Sequence, residues 1–279
     1  MYRDTQQGQE PPPGLGDPLT YAITERDRDT IAMVAEALRQ RRAVLAFQPI
    51  MSSHRNDRAV FWEGLIRILD RGGRRIPAAE FMGAVEAHEL GREIDTLSLQ
   101  LGIDALLRAP GLRLSINMSA RSIGYPRWMA ALDQGLALDP LLAERLILEI
   151  TESSAMLMPD TVRVFMQALH LRGVSFALDH FASGLTSFRY LRDFDFDMLK
   201  FDGEFSRDIA TTPDNQILIR AMIDIARRFQ MFTVAVGVEA VDDAIWLADN
   251  GADCMQGNCF GVPTLTPWWL IGDEVGKAG

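Results

Sequence analysis

RLILEITESSAMLMPDTVRVFMQALHLRGVSFALD, residues 145–179, contains one complete repeat of the fold. RLILEI (145–150) and VSFALD (174–179) are short apolar runs rich in branched residues, and DTVRVFMQALHLR between them has a helical pattern. A strand, a helix and a second strand in this order pair parallel, with the helix packed outside the sheet. Strands buried on both faces read as nearly continuous apolar runs. A carboxylate in each of these two, Glu149 and Asp179, therefore needs a partner or a task.

The same signal extends in both directions. VLAFQPI (44–50), AVFWEGLI (59–66), LRLSIN (112–117), MLKF (198–201) and FTVAVG (232–237) are further runs, and a weaker one surrounds Cys254 to Gln256. PAAEFMGAVEAHEL, DNQILIRAMIDIARRF and AVDDAIWLADN supply further helical patterns. Eight runs predict closure into an α/β fold, a (β/α)8 TIM-type barrel. The first two are separated only by SSHRNDR, too short for a helical crossover, so one antiparallel strand is expected. An open doubly wound sheet is disfavoured because no glycine fingerprint follows the first strand. From about Glu25 to Arg41, Ile31, Val34, Ala35 and Leu38 recur at helical spacing and predict an amphipathic helix. Residues 1–20, with Pro11-Pro12-Pro13 and almost nothing apolar, read as a flexible tail, leaving 25–279 as a single barrel domain.

With 279 residues, 48% of them hydrophobic, the chain is long enough for one large core. A net charge of −10 argues against a nucleic-acid polymer as partner, since such surfaces need clustered Lys and Arg. A small anion held by a local cation stays open. Cys254 and Cys259 lack further ligands at metal-binding spacing and read as reduced thiols. No apolar run approaches the roughly 20 residues of a membrane span and no leader pattern opens the chain, so a cytoplasmic protein is expected. RGGRR (71–75) reads as a solvated loop, and His54, His88 and His170 receive no role.

Nearly every strand run carries one polar group within it or at its end: Gln48, Glu63, Asn117, Glu149, Asp179, Lys200 and Gln256. Gathered at one mouth of a barrel, where active sites of this fold lie, they offer hard oxygen donors suited to Mg²⁺ or Mn²⁺. A lysine among them can orient a water or offset phosphate charge.

These residues resemble the EAL domains, which hydrolyse cyclic di-GMP to the linear dinucleotide with two divalent cations. The resemblance runs from about residue 43 to 265. EGLIR (63–67) stands where the family has Glu-Ala-Leu-Leu-Arg, and FQPI, LSINMSA, LEITES, ALDHFASG, LKFD, VAVGVE and MQGNCFGVP occur in the family order. It implies that Glu63, Asn117, Glu149 and Asp179 bind one metal, while the second needs carboxylates where this chain has His180 and Val236. Val236 has no donor atom and stands at the general-base position, and His180 offers only an imidazole nitrogen. Lys200 and Glu239 remain of the catalytic set. The resemblance further assigns Arg67 to a phosphate, Gln48 and Gln256 to the dinucleotide, and Phe260 with Pro263 to the flanks of a guanine.

Two metals about 3.5 to 4 Å apart deprotonate the attacking water and clamp the phosphate, so this sequence reads as a degenerate member with weak or absent hydrolysis and one intact cation site. Three functions follow: a cyclic di-GMP sensor or effector, which is preferred; a phosphodiesterase making linear pGpG with His180 as a substitute ligand; and a ligand-free interaction scaffold. The family favours a homodimer and leaves room for a protein partner. Ala182, where the family has glycine, is expected to alter the loop that follows. Trp268 and Trp269 in LTPWWLIG are expected to dock on the chain's own barrel.

Overall fold

The computed structural model describes residues 18–54, 58–182 and 188–271. Its strands are β1 (Ala43–Ser52), β2 (Ala59–Leu69), β3 (Arg75–Pro77), β4 (Leu114–Asn117), β5 (Leu146–Thr151), β6 (Ser175–Phe181), β7 (Met198–Phe201), β8 (Phe232–Ala235) and β9 (Cys254–Met255). They are hydrogen-bonded in the order β1-β9-β8-β7-β6-β5-β4-β2-β3, and β1 also pairs with β2, so eight strands close into a barrel with β3 outside. Strand β1 runs antiparallel to both β2 and β9, while the other barrel pairings are parallel. The TIM-type barrel with one antiparallel strand expected from the sequence is thus the fold.

One short strand was not anticipated. The side chain of Asp70 accepts hydrogen bonds from the backbone N–H groups of Gly72 and Arg74, both at 2.8 Å, and Gly73 takes the left-handed conformation at φ 80°. This tight turn brings Arg75 back to pair as β3 on β2, so RGGRR is a hairpin rather than a plain loop. The first helix begins at Pro18 and ends at Arg39, burying Val34 and Ala37 in the core. Residues 1–17, most of the expected tail, lie outside the described residues.

Helices Pro126–Leu138, Pro159–His170 and Pro213–Arg228 each start with proline in the first turn, where its missing N–H costs nothing. Helix Glu89–Arg108 is closed differently. Arg145, just ahead of β5, donates from Nη1 to the carbonyls of Leu106, Ala109 and Leu112 at 2.8, 3.2 and 3.3 Å, and from Nη2 to Asp139 at 2.6 Å. A largely buried guanidinium thus satisfies orphan carbonyls at a helix C-terminus. Arg145→Ala should lower stability by about 2 to 3 kcal/mol, seen as a reduced denaturant midpoint at unchanged slope. An unchanged midpoint would refute this role.

Trp269 packs edge-on against Phe47 (ring centroids 4.8 Å apart) and Trp62 (6.2 Å), so it does dock on its own barrel. Trp268 does not; it is 73% exposed. Among the described residues no helix is long and apolar enough to cross a membrane.

Candidate functional site

Side chains alternate in and out along a strand, so residues two apart share a face. Inside the barrel, Ile50, Phe61, Ile147, Ala177, Val234 and Cys254, with Met198, form a small apolar cluster separate from the main core. Two residues further along the parallel strands stand Glu63, Glu149, Asp179, Lys200, Val236 and Gln256, and on antiparallel β1 the same step runs backward from Ile50 to Gln48. A polar layer therefore lies directly above an apolar one. Only at Val236 does the apolar layer continue upward, packed on the cluster below.

Lys200 stands among the carboxylates. Its Nζ, on a side chain 2% exposed, lies 3.1 Å from Glu63 Oε2 and 3.4 Å from Asp179 Oδ1, and donates to Glu149 Oε2. Glu63 accepts in addition from Asn117 Nδ2 and Gln256 Nε2, both at 2.7 Å. Burial works to raise the Glu63 carboxyl, but Lys200, Gln256 and Asn117 together hold it below its usual value. Glu149 has fewer partners: burial, reinforced by repulsion from Glu63, outweighs Lys200 and pushes it up to about 8. Burial opposes the charge on Lys200, yet its three carboxylates keep it well above the ordinary lysine value.

Among the described residues no three carboxylate, imidazole or thiolate groups are arrayed as a ready cation cage; Glu63, Glu149 and Asp179 are turned onto the ammonium instead. One atom nonetheless fits a divalent cation. Glu149 Oε1 is buried without a hydrogen-bond partner, and a buried acceptor left so costs about 1 to 3 kcal/mol. Its neighbours in the cluster, Glu63 and Asp179, are carboxylates, the hard oxygen chemistry that suits Mg²⁺ or Mn²⁺.

At the end of β6, His180 has a left-handed backbone (φ 53°), as does Ala182 (φ 69°). Its Nδ1 lies 2.8 Å from Asp202 Oδ2 and its Nε2 lies 3.5 Å from Asp179 Oδ2. Burial lowers the imidazole, but the two aspartates outweigh it and raise its pKa above the usual value. Asp202 is a site residue the sequence reading passed over. It lies two past Lys200 in LKFD, one residue beyond the end of β7, and that spacing was the available signal. Glu239 is exposed and accepts from Asn258 Nδ2 at 3.0 and 3.2 Å. The loop after Ala182, residues 183–187, lies outside the described residues.

A cleft of about 490 Å³ opens beside the cluster, lined among others by Glu63, Arg67, Asn117, Asp179, His180 and Asp95. Arg67 is half-buried and donates to its neighbour's carbonyl, Ile66 O, at 3.0 Å. Phe260, packed on the main core, and Pro263 do not line this cleft. Gln48 and Gln256 lie behind Glu63, hydrogen-bonded to each other at 3.1 Å. Cys254 is a free buried thiol, raised to about 11 by burial, and Cys259 is free as well.

Asp95 was not anticipated from sequence. It is buried at the cleft wall, where one oxygen accepts from Ser119 N at 2.8 Å and Ser122 Oγ at 2.5 Å, fixing the turn after β4. Burial outweighs those bonds and lifts its carboxyl to about 7. An acid whose folded pKa exceeds its unfolded value binds more protons when folded, so its contribution to stability is complete below about pH 4 and is lost as pH rises towards 7. Asp95→Asn should flatten the pH dependence of thermal unfolding across that window. The same slope in both proteins would exclude Asp95 as its source.

A protein-family comparison matches the EAL domain over residues 31–263. Cyclic di-GMP phosphodiesterase PdeB of Shewanella oneidensis is 28% identical over 235 residues, covering 82% of this chain and 27% of that protein. Cyclic di-GMP phosphodiesterase PdeF of Escherichia coli is 29% identical over 243 residues, covering 85% of this chain and 32% of that protein. The chain thus spans about a third or less of the length of these relatives. The EAL domain of FimX from Pseudomonas aeruginosa, solved bound to cyclic di-GMP, superposes with a TM-score of 0.76 at 26% identity, covering 85% of this chain and 97% of that one. With the family pattern spanning most of the sequence and the barrel carrying its polar layer in the order described, this chain belongs to the EAL domain family.

Proposed function

We propose that this domain binds cyclic di-GMP as a sensor or effector and hydrolyses it weakly or not at all. The observation that carries the reading is the division of the polar layer. Glu63, Asn117, Glu149 and Asp179 remain together, while the position just past β8 that would supply the general base is Val236, seated on apolar neighbours.

In this reading Glu63, Asn117, Glu149 and Asp179 hold one Mg²⁺ or Mn²⁺, which supplies positive charge to a phosphate oxygen when bound. Arg67, on the cleft wall, pairs with a phosphate through its forked donors. Lys200 keeps the carboxylates together and can hold a water by hydrogen bonding. Holding a water without taking its proton leaves a poor nucleophile, and nothing at Val236 takes it. His180 is turned between Asp179 and Asp202, which favours its charged form over a neutral ligating nitrogen.

The test is calorimetric titration of cyclic di-GMP into the protein with Mg²⁺ or Mn²⁺ and with chelator, followed by chromatography of the same samples. Heat of binding without linear product is expected. Linear pGpG accumulating at a steady rate would establish the phosphodiesterase reading instead, and absence of heat in every sample would refute binding. Arg67→Ala should weaken binding by about tenfold or more, the scale of one charge-assisted hydrogen-bonded pair.

A further inference from the structure

The amide pair behind Glu63 forms a directed chain. A carboxylate can only accept, so Gln256 must present Nε2 to Glu63 Oε2, at 2.7 Å. The second proton of that NH₂ group goes to Gln48 Oε1 at 3.1 Å, and this orientation turns Gln48 Nε2 outward onto the carbonyl of Gly261, also at 3.1 Å. Glu63 thereby fixes the direction of two side-chain amides and, through them, one carbonyl of the 257–263 loop. Gln256 is 2% exposed and its Oε1 has no partner, so both of its side-chain hydrogen bonds run through Nε2 into this chain.

The loop is held so that it registers such a pull. On one side Cys259 N donates to Val238 O at 3.2 Å, and Gly257 passes so close to Val238 that an added Cβ would lie 2.0 Å from its carbonyl oxygen. On the other, Thr264 exchanges two backbone hydrogen bonds with Phe47 at 2.7 and 3.0 Å. Between these anchors, Gln48 to Gly261 is the side-chain tie, with Gly261 packed against Pro49.

We propose that Gln256 and Gln48 are positioning residues that tie Glu63 to the 257–263 loop, so that a divalent cation at the carboxylate cluster and a cyclic dinucleotide at the mouth bind with positive coupling. The proposal rests on the functional reading above. A cation that pins Glu63 pins both amides and orders the loop, and a ligand touching that loop then has less ordering to supply. By linkage the dinucleotide strengthens cation binding by the same factor.

Hydrogen exchange followed by mass spectrometry on the whole chain, with and without saturating Mn²⁺ and without nucleotide, tests the relay. Exchange of the 257–262 amides should slow at least about fivefold on adding Mn²⁺. Gln48→Met and Gln256→Met, each close to isosteric, should lose that response while keeping the native circular dichroism. No slowing in the unaltered protein, or equal slowing in both variants, overturns the proposal. Calorimetry then compares cyclic di-GMP affinity with and without Mn²⁺. A ratio of at least about fivefold that collapses in both variants supports the coupling; equal affinities with and without Mn²⁺ overturn it. Loss of a direct contact would instead weaken both affinities and leave their ratio intact. If no cyclic di-GMP binds while the exchange response stands, the ligand assignment fails and the relay does not.

Discussion

Lys200→Met should unfold at a markedly lower temperature in chelator and recover much of the difference when Mn²⁺ is added. In the native protein one ammonium, almost wholly buried, serves Glu63, Glu149 and Asp179. Removing it leaves buried carboxylates facing one another in a medium of low polarity, a loss of about 3 to 5 kcal/mol or more. A divalent cation brings two charges to the same oxygens. Ligand linkage supplies about 4 kcal/mol when the cation stands at a thousand times its dissociation constant. The native protein should respond less, because its cluster is already partly neutralised. Acid should also shrink the defect, since protonating the facing carboxylates relieves the repulsion, and Glu149, already raised by burial, loses with Lys200 the charge that holds it down. Scanning calorimetry of both proteins in chelator and in Mn²⁺, each at neutral and at acid pH, reads these effects. Equal midpoints in chelator would mean that Lys200 is not what holds the cluster together.

The double substitution His180→Asp with Val236→Glu should raise the rate of linear-product formation by about 10³-fold in Mn²⁺. The scale combines general-base catalysis, typically 10² to 10⁴, with a second cation that activates water. Each single change should do far less: His180→Asp alone assists only a cation, and Val236→Glu alone gains a base with no activated water to work on. That non-additivity is the signature of groups acting together. The backbone permits the first change, because aspartate, like histidine, tolerates the left-handed conformation found at φ 53°. Asp179, Asp202 and the new aspartate would repel one another without a cation, so the variant should also be more cation-dependent in stability. A folded double variant that binds cyclic di-GMP and still forms no product would show that the missing carboxylates are not what limits hydrolysis.

Much of the fold was legible because its signal is local. Alternating apolar runs and helices give the parallel barrel, and the short connection before Ala59 gives the one antiparallel strand. The polar layer was legible for the same reason, since a charged residue inside an apolar strand stands out against its neighbours. The hairpin at Asp70 was not, because RGGRR looks like any solvated charge run until the Asp70 side chain captures two backbone amides. Asp95 was hidden in a helix, where one more acidic residue carries no signal unless the turn of Ser119 and Ser122 is known to lie over it.

The sequence by itself determined which groups the barrel mouth would hold and which it would lack: glutamates on β2 and β5, an aspartate on β6, a lysine on β7 and a valine beyond β8. Those follow from residue identity and a two-residue period. Only the tertiary structure decided how the groups share one another. That Lys200 stands among three carboxylates, that His180 turns between Asp179 and Asp202, and that Gln256 reaches past Glu63 to Gln48 all depend on the register between strands far apart in the chain. The β6 to β7 register shifts between Leu178 and Phe181, and His180 within that shift adopts a left-handed backbone. Its side chain therefore departs from simple alternation, and no period read along the sequence could have placed it.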